Sequence, residues 1–262
     1  MMILQNVKKI LADFSFVKMC FNFYKNLKSQ YGFNLFYWIS GIFRFFIDLR
    51  TFQKIQNNNF KISSQYYMPF MSDKTSHTPI EPTYFFQDTW AARKIFESKP
   101  ERHYDIGSSV KSIGIISQFI PVTMIDIRPI DLKLQGLDFQ KGSILKIPFP
   151  DKSIKSLSSL CVIEHIGLGR YGDPIDAFGS EKAVEEIQRV LAESANLYIS
   201  LPVDCECRVY FNAHRAFTRE FVMQLFGGLE LLEEKYHYGR ELFDNYKPEK
   251  GFGTGLFHFR KV

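Results

Sequence analysis

Strand-like and helix-like segments alternate over the last two thirds of the chain, and this alternation constrains the fold more than any other feature. We predict strands at PVTMIDI (121–127), KSLSSLCVI (155–163) and ANLYISLPV (195–203). We predict helices at QDTWAARKIFES (87–98) and SEKAVEEIQRVLAE (180–193). The first of these strands is almost continuously apolar, as expected where helices cover both faces of a sheet. The alternation therefore predicts a parallel α/β sheet.

The remaining segments extend this pattern to both ends of the body. A first strand is predicted at 102–106 and is followed by a helix at about 110–119. A later helix is predicted at 218–226, ahead of two glycines that favour helix termination. Two last extended segments, at about 229–238 and 253–261, are predicted to pair as an antiparallel hairpin at the sheet edge.

Charge and aromatic residues divide the chain into three zones. We predict a basic, aromatic-rich helical arm at 1–56, a connector at 57–82 and the α/β body at 83–262. Residues 1–60 hold eight Lys or Arg against two acids, and 15 of the 42 aromatic residues. Because the whole chain carries only +5, the body is nearly neutral. Both a helical cap packed on the body and a membrane-surface element fit such an arm.

Several classes of protein are disfavoured by the composition. The longest apolar run, LFYWISGIFRFFI, has 13 residues and contains Arg44, whereas a bilayer span needs about 20. Four cysteines in 262 residues do not form a disulfide framework, and no secretory signal pattern is recognised. A nearly neutral body does not suit nucleic acid. We therefore expect a cytoplasmic protein, with the arm as a candidate for peripheral contact with the inner face of the membrane.

Polar residues and glycines cluster at the predicted ends of consecutive strands. Ligands of open α/β sheets bind beyond the carboxyl ends of the strands. These positions hold Asp105 and Gly107 after the first strand, Asp126 at the end of the second, Ser143 and Ile144 where a third would end, and Glu164 and His165 after the fourth. We expect these residues to meet at one edge of the sheet.

The loop after the first strand, DIGSSVKSIG, indicates which cofactor such a site would take. A carboxylate at Asp126 can accept both hydroxyls of a ribose. A dinucleotide needs G-x-G-x-x-G around its pyrophosphate, but here the second glycine is missing and Asp105 would repel phosphate. S-adenosylmethionine has no phosphate and carries an ammonium and a sulfonium. The residues therefore favour S-adenosylmethionine over a nicotinamide dinucleotide.

The order of these segments resembles the class I S-adenosylmethionine-dependent methyltransferases. YDIGSS is similar to their first motif, with Ser109 in place of its second glycine, and MIDIRP is similar to the second motif with its ribose acid. GSILKIPFPDKSIKSLSSLCVIEHI resembles the stretch from the adenine contact through the fourth strand, with Ser143 where the family often has an Asp. The chain also resembles a poorly characterised bacterial subfamily through EHIGLGRYGDPID, ISLPV and FNAHRAF.

The resemblance implies a fold, a cofactor and an activity. The fold is a Rossmann-like seven-stranded class I methyltransferase domain over 83–262 with an N-terminal helical extension. The implied contacts to S-adenosylmethionine are Asp105, Gly107, Ser108, Asp126, Ile127, Ser143, Ile144 and Leu160. Because members of the subfamily are often encoded among genes for surface polysaccharides, the implied reaction is O-methylation of a sugar or surface-glycan precursor. The alternative is a non-catalytic binding or scaffold protein in a glycan-biosynthesis assembly.

Three residues are candidates for proton transfer. We predict His165 as the base, with Glu164 orienting it or contacting the cofactor, and His214 approaching from the loop after the fifth strand. Neighbouring residues at a strand end point in opposite directions, so only one of Glu164 and His165 should enter the site. Local loop hydrogen bonding, or substrate positioning without proton transfer, is the alternative for Glu164 and His165. Asp173 and Asp176 fit turn chemistry better than metal binding, and no metal is expected.

Overall fold

A computed structural model of the chain describes residues 35–55, 60, 62–70 and 73–262. The chain forms two compact units, Met1–Pro79 and Ile80–Val262. The predicted arm lies in the first unit, and its residues before 35 lie outside the described residues. The described part of the arm is helical, as predicted.

The described residues of the first unit form a long helix, α1 (Leu35–Ile55), and a turn of 3-10 helix at Ser64–Tyr66. The rings of Phe45 and Tyr67 pack edge to face, with their centroids 5.9 Å apart. Within the described ranges, no helix combines the length and the apolar character that a bilayer crossing requires.

The second unit contains four helices of the described chain. They are α2 (Pro82–Ser98), α3 (Val110–Ile116), α4 (Gly179–Val190) and α5 (Arg219–Leu225). Helix α2 begins five residues before the predicted start at residue 87. Pro82 suits the first helical turn, and the Glu81 carboxylate caps that turn by accepting the main-chain N–H of Tyr84 at 2.7 Å.

Ten strands follow in the same unit. They are β1 (His103–Ile106), β2 (Val122–Asp126), β3 (Leu137–Lys141), β4 (Ile154–Leu160), β5 (Leu191–Val203), β6 (Arg208–Tyr210), β7 (His214–Ala216), β8 (Leu229–Tyr238), β9 (Glu241–Phe243) and β10 (Gly253–Lys261). The main sheet has the order β3-β2-β1-β4-β5-β10-β8-β9, and β6 and β7 form a separate hairpin. The first five strands in that order are parallel, and the other three are antiparallel to their neighbours.

The predicted count of seven strands is wrong, because the described main sheet has eight. The additional strand, β9, is only three residues long and pairs with the end of β8. Three residues are too few to show a period of two in the sequence, so the strand gave no signal.

The two last predicted strands pair antiparallel as expected, but not as an edge hairpin. Strand β10 lies between β5 and β8, and its residues Leu256, Phe257 and Phe259 are buried. A strand that is apolar on both faces is stabilised by an interior position in the sheet, where helices cover both sides.

Consecutive residues of β5 show how the two faces of the sheet are covered. Tyr198 packs in a cluster with Trp90 of α2, whereas its neighbours Leu197 and Ile199 pack in a cluster with Ile187 of α4. Because successive side chains of a strand point to opposite faces, α2 and α4 lie on opposite sides of the sheet. Because β3, β2, β1, β4 and β5 run parallel, their carboxyl ends lie at the same edge of the sheet.

Candidate functional site

One cavity lies at the carboxyl ends of the parallel strands. Its empty volume is about 660 Å³, including the space at its mouth. Residues 106–107, 125–128, 142–145, 161–162, 165–166, 171 and 173 line it. Five of the predicted cofactor contacts share this wall: Gly107, Asp126, Ile127, Ser143 and Ile144.

Gly107 forms the turn after β1. Its φ is +68°, and its N–H donates to the main-chain oxygen of Ile125 at 3.0 Å. A Cβ at this position would lie 3.1 Å from Cγ1 of Val162, which follows β4. The turn therefore brings the main chain of the β1 loop close to the β4 loop, and only glycine fits it without strain.

Asp105 braces this turn from behind. Its carboxylate accepts the main-chain N–H of Ser108 at 3.1 Å and the Ser108 hydroxyl at 2.6 Å, and the Ser158 hydroxyl also donates to it. The Ser108 oxygen in turn accepts the N–H of Leu160 at 2.9 Å. Asp105 is fully buried, and burial raises its pKa to about 6. The other three predicted cofactor contacts do not line the cavity: Asp105, Ser108 and Leu160. Their hydrogen bonds support the loop after β1 instead.

Asp126 lies in the cavity wall at the end of β2. Its Oδ1 accepts the main-chain N–H of Arg128 at 2.8 Å, while its Oδ2 has only a long contact of 3.5 Å with the Arg128 guanidinium. The same guanidinium lies over the ring of Tyr171, 4.9 Å from its centroid. Arg128 and Tyr171 also line the cavity, and neither was predicted from the sequence. The sequence signal that could have identified Arg128 is its position two residues after Asp126 in IDIRP.

Aliphatic residues line the cavity together with Asp126. Ile127 and Ile144 are among them, and Gly142 packs against Pro148, since a Cβ there would lie 2.7 Å from Cδ of Pro148. The Ser143 hydroxyl accepts the N–H of Leu145 at 3.2 Å and so supports the turn after β3.

His165 lines the cavity on the β4 side. Its Nδ1 lies 2.6 Å from the main-chain oxygen of Ala213. Since a carbonyl only accepts, Nδ1 carries the proton and Nε2 presents a lone pair. Burial, followed by the nearby charge of Arg170, lowers the pKa of His165 to about 4. The ring is therefore neutral at pH 7.

Glu164 is buried next to His165 and does not line the cavity. Its Oε1 lies 3.6 Å from His165 Nε2, and its Oε2 has no hydrogen-bond partner among the described residues. Burial raises the pKa of Glu164 to about 8. The side chain is thus a neutral acid at pH 7, and of the two neighbours only His165 faces the cavity.

His214 lies on β7, outside the cavity wall. Its ring centroid is 6.4 Å from that of His165, and it packs against Tyr210 and Phe252 at 5.1 and 5.3 Å. Burial lowers the pKa of His214. The hairpin that carries His214 holds it close to His165 without placing it against the cavity.

Asp173 has a structural role in the loop after β4. Its carboxylate accepts the main-chain N–H groups of Gly167 at 2.6 Å and of Tyr171 at 3.3 Å. Asp176 forms an ion pair with Lys182. In the part of the chain that the structure covers, no group of three or more His, Cys, Asp or Glu is placed to hold a metal ion.

A protein-family model and solved structures match this chain. A family model described as "Caenorhabditis protein of unknown function, DUF268" matches residues 148–245. No curated protein matches the chain. One matching structure is the N-methyltransferase NodS from Bradyrhizobium japonicum WM9, solved with S-adenosyl-L-homocysteine. The two sequences are 15% identical, the match covers 80% of this chain and 95% of the NodS chain, and the TM-score is 0.52.

The fold is that of the class I methyltransferases. A second structure of NodS is also 15% identical to this chain. That match covers 69% of this chain and 97% of the NodS chain, with a TM-score of 0.51. At this level of identity the likeness concerns the Rossmann-like sheet and its helices. In this chain the carboxyl ends of β1, β2, β3 and β4 surround the cavity described above.

Proposed function

We propose that this chain is an S-adenosylmethionine-dependent methyltransferase that methylates an oxygen of a small-molecule acceptor. One observation carries the proposal. Asp126, at the end of β2, and Gly107, in the turn after β1, are walls of the same cavity. This is the position at which open α/β sheets bind nucleosides.

The residues of the cavity fit this cofactor. The Asp126 carboxylate would accept the ribose hydroxyls, with Oδ2 available beyond the long contact to Arg128. Ile127 and Ile144 would enclose the adenine, and the main chain at Gly107 would lie against the methionine part. When bound, S-adenosylmethionine supplies a methyl group activated by its sulfonium.

His165 is the group best placed to take the acceptor's proton. The Ala213 carbonyl holds its Nδ1–H and leaves the Nε2 lone pair for a hydroxyl. A pKa of about 4 makes the ring a weak base while Glu164 is neutral. Ionisation of Glu164, whose Oε1 lies 3.6 Å from Nε2, would stabilise the imidazolium and raise the basicity of His165. Glu164 is thus a positioning residue in this proposal.

The acceptor that we propose is a hydroxyl of a sugar or surface-glycan precursor. The support is the similarity of the EHIGLGRYGDPID and FNAHRAF segments to the bacterial subfamily named above. These two segments meet in the structure, because His165 from the first is bonded to Ala213 from the second. The first segment also lines the cavity through His165, Tyr171 and Asp173, so an acceptor in the cavity would lie beside it.

Transfer of a labelled methyl group tests the activity. The protein is incubated with labelled S-adenosylmethionine and fractionated cell glycans, and products are detected by their mass shift. Label in a glycan fraction that disappears with His165→Ala supports the proposal. Transfer to amines alone would contradict the oxygen acceptor, and cofactor binding without turnover on any fraction would favour a binding or scaffold role.

A further inference from the structure

Helix α1 presents an apolar face to solvent. Ile39, Phe43, Phe46 and Ile47 are 45%, 68%, 52% and 63% exposed. Their spacing of four, three and one residues places them along one side of an α-helix. The opposite side contains Gly41, which is buried, and Phe45, which is half-buried and packs against Tyr67. The exposed side is therefore an additional apolar face and is separate from the packed one.

Two basic residues continue this face toward the end of the helix. Arg50 and Lys54 follow Phe46 and Ile47 at helical spacing, and both are exposed. The surrounding sequence has the same sign of charge, because residues 1–60 carry eight Lys or Arg against two acids. An apolar stripe with cations at one end matches an acyl-chain boundary under anionic headgroups.

We propose that the exposed face of α1 (Ile39, Phe43, Phe46, Ile47, Arg50 and Lys54) binds an anionic phospholipid surface, with the helix lying in the plane of the membrane. Aromatic side chains enter the boundary between headgroups and acyl chains, while Arg50 and Lys54 contact lipid phosphates. This inference does not depend on the proposed methyl transfer, because it concerns the first unit alone.

Flotation of the full chain with lipid vesicles tests the proposal. Vesicles of phosphatidylcholine with phosphatidylglycerol are compared with vesicles of phosphatidylcholine alone. We expect the chain to float mainly with the anionic vesicles. Arg50→Glu with Lys54→Glu should lower the partition coefficient by roughly tenfold or more, since each cation near such a surface contributes on the order of a factor of five.

A pair of aromatic variants separates the apolar face from general hydrophobicity. Phe43→Ser with Phe46→Ser should lower the partition coefficient by at least about tenfold. The matched control is Phe52→Ser, because Phe52 is 49% exposed on the same helix but points away from this face. The control should float like the parent. Circular dichroism and thermal melting, which do not depend on cofactor binding, confirm that each variant is folded.

Three results would overturn the proposal. The first is equal recovery of the parent with neutral and anionic vesicles. The second is an effect of Phe52→Ser as large as that of the Phe43 and Phe46 pair. The third is a parent that does not float but forms a dimer that the Phe43 and Phe46 variant dissociates, since the face would then bind a second copy of the chain.

Discussion

The Nδ1 of His165 is hydrogen-bonded to the main-chain oxygen of Ala213 at 2.6 Å. This bond joins the loop after β4 to the β6–β7 hairpin and fixes the tautomer of the ring. Arg170 donates to the same oxygen at 3.0 Å, so the carbonyl binds both side chains. The β6–β7 hairpin therefore sets the direction of the Nε2 lone pair.

The first prediction concerns proton transfer by this ring. His165→Ala should lower the rate of methyl transfer by roughly 10²–10⁴-fold, the usual contribution of a general base, and leave cofactor affinity nearly unchanged. Single-turnover rates and titration with S-adenosylhomocysteine measure the two quantities separately. His214→Ala is the comparison, because His214 lies outside the cavity wall. Near-parental rates in both variants would show that neither histidine is the base.

The second prediction concerns the buried carboxyl of Glu164. Its pKa is about 8 in the folded protein against 4.5 for the ordinary group. Between these values the folded state holds more protons than the unfolded state, so this group lowers the free energy of unfolding as pH rises from about 4.5 to 8. Glu164→Gln removes this pH-dependent loss of stability. The melting temperature of the variant, relative to that of the parent, should therefore rise as pH increases.

Parallel thermal melts at several pH values measure the effect. A difference in melting temperature that stays constant across the range would show that Glu164 is ionised in the folded protein throughout. The rate of transfer gives an independent readout. It should rise as pH approaches 8 in the parent, where Glu164 ionises beside His165, and this rise should be absent in Glu164→Gln.

The third prediction concerns the Gly107 turn. Gly107→Ala should destabilise the fold by about 1–2 kcal/mol for its positive φ, with a further cost because the new Cβ meets Val162 at 3.1 Å. Gly239→Ala is the control, since Gly239 has a φ of +60° and nothing within 4 Å of a new Cβ. Denaturant unfolding should show the larger loss for Gly107→Ala. Equal losses would mean that the Val162 contact relaxes without cost.

The fourth prediction concerns the buried brace at Asp105. Asp105→Asn turns an acceptor oxygen into an amide donor that faces the hydroxyls of Ser108 and Ser158. An unsatisfied buried donor costs about 1–3 kcal/mol, so the variant should unfold at lower denaturant. Asp138→Asn, which alters an exposed ion pair with Arg102, should change stability by less than about 1 kcal/mol. Similar stability of the two variants would contradict the role of Asp105 as a brace.

The sequence predicted β1, β2, β4 and β5, because each of these strands contains a largely buried run of residues. It gave no bounds for β3, since LDFQK is mostly exposed and shows no apolar run. It did not predict the position of β10, since the pairing partner of Gly253–Lys261 is Leu191–Val203, about sixty residues earlier in the chain. The hydrophobic pattern shows that β10 is buried, but it does not show which strands flank it. Only the strand order of the folded sheet shows that β5 and β8 flank β10.

The candidate site was also predicted only in part from the sequence. The position of Asp126 follows from the end of an apolar strand and could be predicted. The hydrogen bonds of Asp105 could not, because Ser158 completes them from a neighbouring strand, and the sequence showed only an acid before a glycine. Arg128 was missed for a related reason, since its contact with Tyr171 joins two loops that are distant in sequence.

Calorimetric titration with S-adenosylhomocysteine tests the central claim most directly, because it measures the cofactor site without an acceptor. The parent should bind, and Asp126→Ala should lose about 1.5–3 kcal/mol of binding free energy, which corresponds to roughly 10- to 150-fold in Kd. Asp131→Ala, which removes an exposed acid outside the cavity wall, should bind like the parent. No binding by the parent, or equal Kd values for all three proteins, would contradict the account.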